Sequence, residues 1–140
     1  MRFSEAKGYQ VVSTSDADTI GKVDGFVVDT STAKVVALHL KKTPGDEDLL
    51  PWADLKAFGT DAVTVESASL LAKSSDAAKG QDVVGSRILT EDGEELGEVK
   101  DVEFDTDDGS VTALVTKDGD EVEGVRMIGL GSYALIVKRV

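Results

Sequence analysis

The chain is predicted to be all-β: two tandem copies of one small antiparallel β-barrel, packed on each other as a pseudo-twofold pair. Two observations lead there. The first is a repeat, in which Ile20-Gly21-Lys22-Val23-Asp24-Gly25-Phe26-Val27-Val28-Asp29-Thr30 returns as Leu96-Gly97-Glu98-Val99-Lys100-Asp101-Val102-Glu103-Phe104-Asp105-Thr106. The apolar runs Val35-Val36-Ala37-Leu38 and Val111-Thr112-Ala113-Leu114 keep the same offset of 76 residues. A later echo, Phe58-Gly59-Thr60-Asp61-Ala62-Val63-Thr64-Val65 against Leu130-Gly131-Ser132-Tyr133-Ala134-Leu135-Ile136-Val137, lies at an offset of 72, so the first copy holds four more residues between the echoes. Self-similarity that survives an insertion marks a duplicated structural unit. The second observation is rhythm: short β-branched or alternating apolar runs, punctuated by Gly, Asp, Ser and Thr roughly every 8 to 12 residues, read as strands and turns. Each copy, at roughly 60 residues, is near the lower limit for an independent core, so the copies are expected to bury surface against one another.

Element by element, the first copy reads as strands over Gln10–Ser13, Lys22–Asp29 and Val35–Lys41, then a turn around Pro44-Gly45-Asp46. Leu49-Leu50-Pro51-Trp52 follows as a short strand, Ala53 to Phe58 as one helical turn, and Ala62–Val65 as the closing strand. In the second copy Arg87–Thr90, Glu98–Asp105 and Val111–Lys117 are strands, separated by the turns Glu91-Asp92-Gly93 and Thr106-Asp107-Asp108-Gly109. Asp-Gly pairs suit tight turns because Gly accepts positive φ without a Cβ clash, and a meander of antiparallel strands results. Gly21 and Gly97 stand at equivalent places before a strand, where a bend or a close backbone approach requires a missing side chain. Residues 1–66 form the first unit, 67–80 a semi-ordered connector or short helix, and 81–140 the second unit.

Charge narrows the functional classes. With 15 Lys+Arg against 27 Asp+Glu, a net charge of −12 repels polyanions and argues against direct nucleic-acid binding. The second half carries most of it: residues 1–72 hold 7 basic and 11 acidic side chains, residues 73–140 hold 8 and 16. Cysteine is absent, which removes disulfides, thiolate metal sites and cysteine nucleophiles and fits a reducing cytoplasm. No apolar stretch has the length of a signal peptide or a transmembrane helix, so a cytoplasmic location is expected.

Read in order, Gly21-Lys22-Val23-Asp24, a strand ending in Asp29-Thr30, a hairpin, Val35-Val36-Ala37-Leu38, Leu50-Pro51-Trp52, and Phe58 to Val65 resemble the PRC-barrel family. This is the small barrel shared by the H subunit of photosynthetic reaction centres and the C-terminal domain of the ribosome maturation factor RimM. The resemblance covers about Gly8 to Val65 and about Gly85 to Val137; it is weaker in the last third of the second copy, where Val125-Arg126-Met127 stands in the Pro51 to Leu55 region. It implies a fold and, by analogy with stand-alone members, an assembly or adaptor role.

The residues offer little chemistry. His39 is the only histidine and lies in a strand opposite in facing to Leu38 and Leu40, a solvent-facing or rim position rather than half of a triad. Gly129-Leu130-Gly131 lies between strands and is no dinucleotide loop. The carboxylates Asp101, Glu103, Asp105, Asp107 and Asp108 invite a cation, but the spacing fails an EF-hand: Thr116 stands where the bidentate Glu belongs. Asp101 and Asp105 are expected on one solvated strand face, and Asp29 and Asp105 as caps of their turns. The lysines Lys22, Lys34, Lys41, Lys42 and Lys56 read mainly as protection of strand edges. Trp52, the sole tryptophan, is core or rim packing, or else a partner-binding anchor.

The expectation is a non-enzymatic tandem module with no cofactor that binds another protein or itself through barrel faces, with Trp52, Lys41, Lys42, Glu98 and Glu103 as candidate partner-binding residues. The alternative is a regulator that binds a divalent cation or small ligand through its acidic loops, with Asp105, Asp107 and Asp108 as candidate metal residues.

Overall fold

The computed structural model describes residues 1–73 and 82–139. A one-turn helix, α1 (Phe3–Ala6), precedes β1 (Gln10–Ser13), β2 (Asp18–Asp29), β3 (Lys34–Lys41), β4 (Leu49–Pro51), β5 (Leu55–Phe58) and β6 (Ala62–Val65). The second unit runs β7 (Arg87–Thr90), β8 (Glu95–Phe104), β9 (Val111–Thr116), β10 (Glu121–Glu123), β11 (Met127–Leu130) and β12 (Leu135–Val137). Each unit forms one six-stranded sheet, in the orders β4-β3-β2-β1-β6-β5 and β10-β9-β8-β7-β12-β11. The outermost strands β4 and β5 are consecutive in the chain and joined by the 3-10 turn Trp52–Asp54, so the two edges of the curled sheet meet at that corner. Gly124–Arg126 makes the same corner in the second unit.

The irregularities repeat as faithfully as the strands. Ile20, Asp24, Val36 and Lys56 are each an extra residue in the pairing of β1–β2, β2–β3, β3 and β5–β6. Leu96, Lys100, Thr112 and Ile128 are the extra residues at the matching places of the second unit. A bulge bends a strand and sharpens its twist, which is how a sheet this small curls onto its own side chains. The four extra residues of the first unit are also located. Leu40 N–H donates to the Asp48 carbonyl and Thr116 N–H to the Asp120 carbonyl, so positions 41–47 correspond to 117–119 alone.

Three expectations are corrected. The strands are not all antiparallel: β1 pairs with β6, and β7 with β12, in parallel. The chain turns a corner after β4 instead of making another hairpin, and the last strand of each unit then lies along the first in the same direction. The helical turn expected over Ala53 to Phe58 is the shorter Trp52–Asp54, and Leu55–Phe58 is extended because its backbone pairs with β6. Asp101 is buried rather than solvated: it shares the face of Glu103, opposite the core-facing Val102, and α1 of the first unit covers it through Ser4. The connector expected over 67–80 shows a 3-10 turn at Ala68–Leu70 and a bridge from Ala72 to Leu49, and its remainder lies outside the described residues.

The two units meet on a pseudo-twofold axis. Val35 N–H donates to the Gly109 carbonyl at 2.8 Å and Val111 N–H donates to the Ala33 carbonyl at 2.7 Å. Since 35 corresponds to 111 and 33 to 109, these bonds are the same bond made twice. Between them Lys34 pairs with Ser110, its own counterpart. A residue meets its counterpart only where a twofold axis passes, the signature of a self-complementary interface. The buried apolar side chains form one cluster that runs from Phe3 and Val11 through Phe104 to Val137.

Candidate functional site

Trp52 sits at the corner between β4 and β5, and its position follows from Pro51, whose fixed φ ends the strand. Its indole lies 5.8 Å from the Phe58 ring and 6.3 Å, edge-on, from Phe104 of the second unit. Phe104 is buried and also reaches Phe3, Phe26 and Phe58 at 5.4 to 5.5 Å. Phe3 and Phe26 stack at 3.9 Å. With Tyr9 beside Phe58, six of the seven aromatic residues form one cluster across the junction. Trp52 is therefore half-buried against the other unit, with its ring engaged inside the molecule.

The lysines lie elsewhere. Lys41 pairs with Lys22 across β2 and β3, an interior strand pair, and its Nζ stands 4.0 Å from Asp24. Lys42 is exposed and begins the inserted loop with φ of 57°. Lys56, on the outer strand β5, is the one lysine of this group at an edge bulge. His39 is part-exposed, with Nε2 at 3.1 Å from Asp48 and Nδ1 at 3.5 Å from Asp24, so both ring nitrogens face carboxylates.

The acidic residues are mostly spoken for by backbone. Asp101 accepts from the amides of Ser4 and Val102 and from the Ser4 hydroxyl, so a carboxylate of the second unit caps the helix that opens the first. Glu103 meets Arg2 at 3.5 Å, and Glu98 meets Lys117 at 3.0 Å. Asp29 accepts from the Ser31 amide and Asp105 from the Asp107 amide, equivalent turns built the same way. Asp108 accepts from the Ser110 amide. The Ser31 hydroxyl, then its amide, holds Asp29 below the ordinary carboxylate value, and the Ser110 amide does the same for Asp108. Asp107 is exposed beside them. Among the described residues no group of three His, Asp or Glu side chains is placed to hold a metal ion.

Two six-stranded units with one strand order, one set of bulges and one corner define what to compare. The family model described as PRC-barrel domain matches twice, over residues 1–71 and 75–138. The chain belongs to the PRC-barrel domain family. No curated protein matches it significantly. Among the described residues no helix is long and apolar enough to cross a membrane.

With both PRC barrels aligned by their hydrogen bonds, their differences stand out. Val125, Ile128 and Tyr133 of the second barrel are exposed at 70%, 41% and 70%. Their counterparts in the first are Ala53, Lys56 and Asp61. All three lie on the stretch from the corner turn through β11 to the turn before β12. Beside Tyr133 opens a cleft of about 450 Å³, lined among others by Ser86, Arg87, Glu98, Gly131 and Ser132. The Arg87 guanidinium lies 5.0 Å from the centre of the Tyr133 ring and 2.9 Å from Glu95. Of the candidate partner-binding and metal residues named from sequence, only Glu98 lines this cleft. A position-by-position comparison of the copies, carried past the echoes themselves, is the signal that finds Ser86, Val125, Ile128 and Tyr133.

Proposed function

We propose that this tandem PRC-barrel chain is a non-enzymatic protein-binding or assembly module, and that its second barrel carries the partner surface. The observation behind the reading is the exposed apolar trio Val125, Ile128 and Tyr133, at positions where the first barrel has Ala53, Lys56 and Asp61. Exposed large apolar side chains gathered on one stretch favour a protein interface over solvent. Trp52 takes a different role from an anchor in this reading: it belongs to the junction that fixes the two barrels relative to each other. The side chains with chemical potential also favour binding over catalysis. The one histidine faces two carboxylates, and Asp29, Asp101, Asp105 and Asp108 accept from backbone amides.

The test is affinity capture from the native cell, followed by reconstitution with the purified partner. Val125→Asp with Ile128→Lys should abolish binding while leaving the unfolding midpoint near that of the parent. Undiminished binding by the double variant, with the fold intact, would refute the surface.

A further inference from the structure

In the first barrel, Tyr9 crosses from the start of β1 to the turn between β5 and β6. Its ring lies 6.2 Å from Phe58 and its hydroxyl donates to the Thr60 carbonyl at 2.7 Å. The backbone fixes the corresponding positions in the second barrel. Gly8 donates to Val23 as Gly85 does to Val99, Tyr9 to Ala6 as Ser86 to Val83, and Gly59 to Ala62 as Gly131 to Ala134. Ser86 thus stands for Tyr9, Leu130 for Phe58 and Ser132 for Thr60.

The Ser86 hydroxyl turns away and donates to the Asp82 carbonyl at 2.5 Å. Among the described residues no side chain reaches the Ser132 carbonyl, and the room that a phenol fills in one barrel is open in the other as the 450 Å³ cleft. Such a volume is within the range of pockets that take small ligands. One half of its recognition pattern is already demonstrated in this molecule: the carbonyl at position 60, matched by that at 132, accepts from a phenol hydroxyl. At the rim, Arg87 over Tyr133 adds a cation and an aromatic face, both of which attract a further aromatic ring.

We propose that this cleft binds the tyrosine side chain of a protein partner, its hydroxyl donating to the Ser132 carbonyl as Tyr9 donates to Thr60 and its ring lying beside Tyr133 and Arg87. The inference rests on the reading of the second barrel as a protein-binding surface and names the side chain that surface receives.

The probe is the peptide acetyl-Gly-Gly-Tyr-Gly-Gly-amide, titrated into the ¹⁵N-labelled full chain and followed by amide shifts. Saturable shifts confined to Gly85, Ser86, Gly131, Ser132 and Tyr133 are expected, with a dissociation constant on the order of 1 mM for one side chain. The phenylalanine analogue should bind roughly 2- to 10-fold more weakly, as expected for one neutral hydrogen bond. Ser86→Tyr should fill the cleft with its own phenol and remove the shifts. No shifts, shifts elsewhere, or equal binding of the phenylalanine peptide in the parent protein would overturn the proposal without needing that variant to fold. Binding of p-cresol with exclusion of the peptide would overturn it too, since the cleft would then serve a free phenol. Loss of the captured partner in the Val125→Asp, Ile128→Lys variant together with no tyrosine binding would sink this inference alone and leave the partner surface in place.

Discussion

The indole of Trp52 rests on Gly109 across the junction between the two barrels: a Cβ at position 109 would stand 3.1 Å from Cε2 of the ring and 2.9 Å from the Val35 carbonyl oxygen. Gly109 also holds φ of +80° and accepts the hydrogen bond from Val35. Gly109→Ala should destabilise the protein by about 1–3 kcal/mol, combining left-handed strain with the lost contact. Because Trp52 is the sole tryptophan, its emission should shift to the red in the variant before any unfolding. An unchanged emission maximum would mean that the ring does not depend on this glycine.

Phe104 is the ring on which the aromatic cluster turns, touching Phe3, Phe26, Trp52 and Phe58. Phe104→Ala should cost about 3–5 kcal/mol in urea unfolding. In the parent, Trp52 emission and far-ultraviolet dichroism should follow one transition, as a shared core demands. Separate transitions in the parent would show that the two barrels unfold independently.

Asp101→Ala removes the acceptor of three hydrogen bonds, two of them from Ser4. A loss of about 1–3 kcal/mol is expected from the unsatisfied donors. Hydrogen exchange should quicken at the Ser4 amide and at the Phe104 amide, which donates to the Met1 carbonyl. Slow exchange at both sites in a destabilised variant would separate the cap from the attachment of α1.

Asp29 and Asp108 have folded values below the ordinary 3.8. A depressed carboxylate contributes stability that is whole above its unfolded value and fades as pH falls through the folded one. Ser31→Ala removes the larger cause at Asp29, so its titration midpoint, read from the carboxyl ¹³C shift, should rise toward 3.8 while that of Asp108 stays put. A midpoint of Asp29 that does not move would eliminate the hydroxyl as the cause.

The sequence announced the duplication because turn residues are dictated locally. Asp29 and Asp105 cap their turns wherever the rest of the chain goes, and Gly21 lies 3.2 Å, by its would-be Cβ, from the Lys41 carbonyl oxygen for reasons local to one hairpin. Asp101 was misplaced because the segment that covers it, α1 with Ser4, comes from the other unit, and alternation along one strand says nothing of it. Ala17, Ala33 and Lys42 adopt positive φ without the Gly or Asn that would advertise it. The partner of Trp52 was illegible for another reason: Gly109 and Phe104 come from the other barrel, and no spacing rule connects residues that meet only through a twofold axis. Sequence pointed to Trp52 and the lysines of the first copy, and to the dense carboxylates of the second, as what distinguishes the copies. The structure adds a difference with no charge or aromatic excess to advertise it, Ser86 in place of Tyr9.

Lys34 facing Ser110 has a consequence for how such a chain comes to exist. A joint in which each residue meets its own counterpart closes equally well between two separate, identical barrels. Joining them by a tether makes their pairing independent of how much protein the cell contains. It also ends the requirement that both halves change together. A single-barrel dimer that lost Tyr9 would open two clefts and lose two phenols; in this chain one half keeps the phenol as ballast, and the other is free to receive a stranger's.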